Sequence, residues 1–236
     1  MPPLFSRNRD EQRLLRDRVD AGARLAERLR PVLGDTPAGE IVAIGLARGG
    51  VIVAAEVARI LGVRLEAIVV RKLGAPDQPE LAIGALAASG ERVLNSGLIA
   101  DIGIREMEID RITARAQEAA EALCEEIGVP PAVPDVEGRT VLLIDDGLAT
   151  GATMRVAVNA MRQQGAGRII VAVPVAPAPS IRAFERIADE VVAVLTPHNL
   201  QAVGQWYERF FEVTSGEVRQ ALERAREGGD AASADA

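Results

Sequence analysis

The chain has 236 residues, 48% of them hydrophobic and 26% charged, values typical of a globular chain long enough to bury one full core. A net charge of −7 argues against a nucleic-acid footprint, and aromatics at only 3% supply little base-stacking surface. No apolar run reaches the roughly 18 residues that a membrane span needs, residues 1–10 lack the apolar centre of a signal peptide, and a single cysteine, Cys124, excludes an internal disulfide. These features lead to the expectation of a reduced, cytoplasmic protein with neither nucleic acid nor membrane as partner.

Residues 9–33 place Leu15, Val19, Gly22, Ala26, Leu29 and Leu33 at alternating spacings of four and three, which predicts one amphipathic helix with a solvated charged face. A Gly/Pro/Asp connector over 34–39 leads into a strand at 40–46 and a helix at 51–61, with Gly45, Leu46, Ala47, Arg48, Gly49 and Gly50 between them. That loop is not the dinucleotide fingerprint. Adjacent glycines let backbone N–H groups approach an anion closely, and Arg48 adds a charge; the plainer alternative is a glycine turn beside a solvated arginine. A second strand pattern covers 63–72 and ends in Arg71 and Lys72, followed by a loop at 73–79 and short strands at 81–88 and 92–95 around a Ser89-Gly90 turn. Residues 98–128 read as one long helix with Ile109, Ile112, Ala116, Ala119, Leu123 and Ile127 along one stripe and Cys124 as a packing residue, ended by Pro130, Pro131 and Pro134.

The most informative stretch comes next. Val141, Leu142, Leu143 and Ile144 read as a strand buried on both faces, and Asp145 and Asp146 follow where it ends. Gly147, Leu148, Ala149, Thr150, Gly151, Ala152 and Thr153 then lead into a helix at 154–164. A strand, a loop of small residues and a helix N-terminus form an anion cradle. Two acids beside a cradle fit a ligand with phosphate at one end and hydroxyls at the other. An apolar run with two acids also suits a P-loop ATPase or a phosphatase-like use of Asp145, but the chain has no Gly-x-x-x-x-Gly-Lys-Ser/Thr segment. Strands at 168–175 and 190–195, with a short helix from 177 to 188, complete a βαβ alternation that places every candidate loop at a strand's carboxyl end. Residues 196–222 carry His198, which reads as structural, and most of the aromatics; 226–236 read as a disordered tail, and no repeat or second domain is seen, giving one domain over 1–225.

The run from Val141 to Thr153 resembles the signature of the type I phosphoribosyltransferase family, and Arg48-Gly49-Gly50 resembles its pyrophosphate loop. Arg71-Lys72-x-Gly-Ala-Pro and Ala202-Val203-Gly204-x-Trp206-Tyr207 are similar to segments of bacterial members without an assigned substrate. The resemblance implies an α/β fold, a doubly wound and mostly parallel sheet flanked by helices, with a small C-terminal hood at 196–222. It implies a glycosyltransferase of nucleotide metabolism that moves ribose 5-phosphate from 5-phosphoribosyl-1-pyrophosphate (PRPP) to a nitrogenous base; the alternative is a regulatory protein that senses PRPP without turnover. Asp145 and Asp146 would hold the ribose diol, and Gly147, Ala149, Thr150, Gly151, Ala152 and Thr153 the 5′-phosphate. Ala47, Arg48, Gly49 and Gly50 would hold pyrophosphate, with a cis Ala47–Arg48 peptide. Lys72 would reach pyrophosphate or else be a solvated cation, and Trp206 or Tyr207 would cover the base or else pack the hood. Mg²⁺ would be held mainly through substrate rather than by a protein-only site, and the protein would form a homo-oligomer, a dimer. Members acting on 6-oxopurines carry an aspartate where this chain has Ala149, so the resemblance points away from hypoxanthine and guanine.

Overall fold

The computed structural model describes residues 14–234, with side chains through residue 227. Five parallel strands form the central sheet in the order β2-β1-β6-β7-β8: β1 (Ile41–Leu46), β2 (Arg64–Ile68), β6 (Thr140–Ile144), β7 (Arg168–Val175) and β8 (Glu190–Leu195). Every residue of β1 and β6 is buried. Along β6, Val141 and Leu143 point into one core and Leu142 and Ile144 into the other, so period-two alternation feeds two apolar layers. Helices α1 (Arg18–Leu33), α2 (Gly49–Leu61) and α7 (Ser215–Ala234) pack into the first layer, and α5 (Ala152–Gln163) fills the second. This is the doubly wound arrangement expected from the alternation of elements. Its order reverses between β1 and β6, where Gly45 lies beside Ile144.

Several boundaries differ from the expectations. The helix expected over 9–33 begins at Arg18, capped by the Asp17 carboxylate on the amides of Val19 and Asp20; residues 9–13 lie outside the described residues. Leu15 belongs to the apolar stripe in spacing but not in structure, because it pairs with Tyr207 in a parallel bridge, and Val19 is exposed. The buried face is instead Ala21, Gly22, Leu25, Ala26, Leu29 and Leu33.

The strand pattern at 63–72 splits at Val69. β2 stays in the parallel sheet, while β3 (Val70–Ala75) turns out to pair antiparallel with β4 (Gln78–Ala87), which pairs with β5 (Arg92–Leu94). The loop expected at 73–79 is therefore mostly strand. Gly74 sits at a register shift where a Cβ would approach Pro79 Cα to 2.8 Å, so glycine and proline here make an irregular hairpin rather than a loop. The single long helix is two, α3 (Ser96–Ile102) and α4 (Glu106–Ile127), broken at Gly103 in the left-handed region (φ 69°). Strand β7 is followed by α6 (Ala178–Phe184). The backbone of α7 continues as helix to Ala234, through most of the stretch expected to be a disordered tail.

The approach of α2 to β1 depends on Gly45, where a Cβ would lie 2.8 Å from Val51 N and 2.9 Å from the carbonyl oxygen of Gly50, both backbone atoms. Gly45→Ala is therefore expected to lower stability by about 1–3 kcal/mol in urea denaturation, the usual range for overpacking. Gly39→Ala, with open space around the added carbon, leaves the transition nearly where it was.

Candidate functional site

The β1–α2 and β6–α5 connections meet at the carboxyl ends of the two central strands. Ala47 donates its N–H to Ile68 O at 2.9 Å, the Ala47–Arg48 peptide is cis, and α2 starts at Gly49 with no side chain capping it. The two glycines face the acids directly. A Cβ on Gly49 would collide with Asp146 Oδ2, and one on Gly50 would lie 2.6 Å from Ile144 O and 2.9 Å from Asp145 Cα. Only hydrogen at these positions allows the loop to lie on the acid pair.

Beyond the acids the chain is held from three sides. Gly147 packs so closely that a Cβ would come within 2.5 Å of Val203 Cγ1, Leu148 N donates to Val175 O at 2.8 Å, and the Ser180 hydroxyl donates to Ala149 O at 3.0 Å. Gly151 adopts φ 73° against the ring of Phe184 and opens α5, again without a side-chain cap. Ala149 and Thr150 are exposed at the tip, and Thr153 lies half-buried in the first helical turn. Val51 N donates to Arg48 O at 3.2 Å, so the N–H groups of Gly49 and Gly50, with those of the first turn of α5, face an outside acceptor.

The acids themselves are not alike. Burial, and the adjacent charge of Asp146, hold the Asp145 carboxyl well above the usual carboxylate range; its Oδ1 accepts the Asp146 amide at 2.9 Å. Burial also raises Asp146, against the pull of the Arg18 guanidinium, whose Nη2 lies 2.8 Å from Asp146 Oδ2. Tyr207, buried at 6% exposure, donates its hydroxyl to the Asp146 carbonyl at 2.6 Å, and its own ionisation is pushed far up by that burial.

The structure brings together Ala47, Arg48, Gly49, Gly50, Asp145, Asp146 and the 147–153 loop. It leaves Lys72 on the β3–β4 hairpin, where its ammonium bonds Glu80 Oε2 at 3.0 Å, and turns Arg71 onto the Ala119 carbonyl of α4 at 3.2 Å. Tyr207 packs in the small core of Leu15, Ala21, Val175 and Leu195, and Trp206 lies partly buried against it; His198 is exposed. Sequence reading missed four residues. Arg18 was part of a helix face assigned to solvent. Phe210 stacks on it, Phe211 exposes 76% of its surface beside it, and Glu212 accepts from Arg48 at 2.6 Å. None stands out in sequence, because each matters only through what the fold sets next to it.

The family model described as a phosphoribosyl transferase domain matches residues 14–204. The protein Rv0571c of Mycobacterium tuberculosis, which carries a provisional phosphoribosyl transferase name, is 39% identical over 213 residues, 90% of this chain. The chain spans about half, 47%, of that curated relative's length. A shorter match, 50% identical over 48 residues (20% of this chain, 16% of the relative), is to the ribose-phosphate pyrophosphokinase of Methanopyrus kandleri. Among solved structures, TT1426 of Thermus thermophilus superposes with a TM-score of 0.74 at 41% identity, over 90% of this chain and 99% of that one.

The raised Asp145 carboxyl has a consequence for stability. The folded state keeps a proton that the unfolded state loses near pH 4, so Asp145 lowers stability as pH climbs from about 4 through its raised folded value. In pH-dependent urea unfolding, Asp145→Asn is expected to be more stable than wild type at neutral pH, with the difference closing below about pH 4.

Proposed function

Because the chain belongs to the phosphoribosyl transferase family, we propose that it transfers ribose 5-phosphate from PRPP to a nitrogenous base and releases pyrophosphate. One observation carries this reading: an acid pair lies between two uncapped helix N-termini, with Arg48, Gly49 and Gly50 on one side and 150–153 on the other. Helix N-termini and a guanidinium attract anions, whereas carboxylates repel them and accept hydroxyls. A ligand that satisfies all three has phosphate at each end and a diol between, and PRPP has that layout.

In this reading the 5′-phosphate is held by the backbone of 150–153 and the Thr150 and Thr153 hydroxyls. Asp145 and Asp146 accept hydrogen bonds from the 2′ and 3′ hydroxyls. Arg48 and the N–H groups of 49–50 take the pyrophosphate; Arg48 leaves Glu212 to do so, which costs little because the Glu212 side chain is 81% exposed. As the C1′–O bond breaks, positive charge develops on the sugar and the Asp146 carboxylate stabilises it, before a base nitrogen closes the new C1′–N bond. Mg²⁺ carried on the substrate's pyrophosphate oxygens would neutralise leaving-group charge beside Arg48. The base is expected against the 207–212 segment, where Phe211 offers an exposed ring in place of the packed Trp206 and Tyr207.

Calorimetry with PRPP and Mg²⁺ tests the site: Asp146→Asn and Thr153→Ala should each weaken binding by about 1–3 kcal/mol, and unchanged affinity in both would remove the assignment. Pyrophosphate release across a panel of bases then separates turnover from sensing. Tight binding with no release from any base would favour the PRPP-sensing alternative.

A further inference from the structure

Arg18 opens α1 from within the charged stripe that spacing assigns to solvent, yet its side chain is only 11% exposed. Its Nε and Nη2 both reach Asp146 Oδ2, at 2.9 and 2.8 Å. The third nitrogen, Nη1, donates to the Phe211 carbonyl at 2.8 Å, and the Phe210 ring lies 4.0 Å from the guanidinium carbon. A planar cation fixed on all three nitrogens and covered on one face has little freedom to turn. Its backbone is pinned as well. Leu15 N donates to Trp206 O at 2.9 Å and Glu208 N to Leu15 O at 2.8 Å, while Asp17 caps α1 and pairs with Arg209 at 2.5 Å.

Surface arginine–carboxylate pairs usually spread two hydrogen bonds over two oxygens. Here both fall on Oδ2, so Arg18 makes no contact with Oδ1. We propose that Arg18 is a positioning residue for Asp146, which it turns so that Oδ1 faces the sugar diol and which it keeps charged when the bound sugar shuts out water. This inference rests on the transferase reading of the site.

The other charged groups nearby do not take over that task. Asp145 supplies no cation and uses its Oδ1 on the Asp146 amide, and the Tyr207 hydroxyl is used on the Asp146 carbonyl. Arg48 is engaged by Glu212. Glu217 feels the Arg18 charge but bonds Thr214. Asp17 and Asp20, which flank Arg18, are taken by Arg209 and by Arg16 and Arg24. Among the described residues Arg18 is the cation in contact with Asp146, and it opposes the burial that favours a protonated carboxyl.

The test uses the full chain as wild type, Arg18→Gln and Arg18→Lys, with thermal melts to confirm folding. Carboxyl carbon NMR titration of the unliganded proteins reads Asp146 directly. Its midpoint should rise in Arg18→Gln and stay near wild type in Arg18→Lys. Calorimetry with ribose 5-phosphate, which lacks pyrophosphate and so reports the sugar end, should show about a tenfold weaker affinity at pH 7 for Arg18→Gln, a deficit that widens as pH falls and is partly restored by Arg18→Lys. In an Asp146→Asn background the same change should have little further effect. An unmoved midpoint, or ribose 5-phosphate binding that tightens when Arg18 is removed, would overturn the proposal; tightening would mark Arg18 as a competitor of the sugar. Wild-type protein that binds neither ribose 5-phosphate nor PRPP would sink the transferase reading, while the carboxyl titration would still decide whether Arg18 controls Asp146.

Discussion

Two loops lie against each other at the centre of this protein, one offering only glycine to the acid pair of the other, and the rest of the site depends on that contact. The parallel pairing of β1 with β6 ends both strands at one level, with Gly45 beside Ile144. The segments leaving the two strands must then share one small volume. Gly49 and Gly50 give that volume to the carboxylates of Asp145 and Asp146, and Gly45 gives it to the backbone of α2. A methyl group at any of the three would meet backbone or a buried carboxylate, neither of which can swing aside.

Packing two acids against a close backbone removes water from them, and lost water favours protonation. The fold answers from outside the sheet. The chain before α1 bridges to the segment around Tyr207, which places Arg18 on Asp146, the Tyr207 hydroxyl on the Asp146 carbonyl and Phe210 over the guanidinium. The segment from Tyr207 to Phe211 is thus a clamp on the acids. It joins the first described residues to the last irregular stretch, and its apolar cluster of Leu15, Ala21, Val175, Leu195 and Tyr207 ties that clamp to the sheet.

The errors of sequence reading have physical causes. Leu15 stands outside the helix because Asp17 caps α1 and stops it from extending backwards, and Val19 lies within α1 on its exposed face. Gly74 and Pro79 have loop composition, although in an antiparallel hairpin they serve a register shift where a side chain would collide. The stripe from Ile109 to Ile127 was correct as a helix, but Gly103 in the left-handed region had already ended a separate one. Trp206 and Tyr207 stand out in sequence as rings, whereas the fold uses Tyr207 for its hydroxyl and its bulk.

What the amino-acid order determined by itself was local. Four buried residues, two acids and a glycine-bearing loop fix a strand, its end and a helix start, since those preferences act over a few residues and do not need the rest of the chain. The same holds for Arg48, Gly49 and Gly50 at the mouth of α2, and the βαβ alternation was enough to predict a doubly wound sheet. Tertiary structure alone decided which distant groups meet. Arg18 and Asp146 stand 128 positions apart, and Arg48 and Glu212 stand 164 apart. Their charges look like any others on a solvated face until the fold sets them together, and only between Arg18 and Asp146 is most of the water removed.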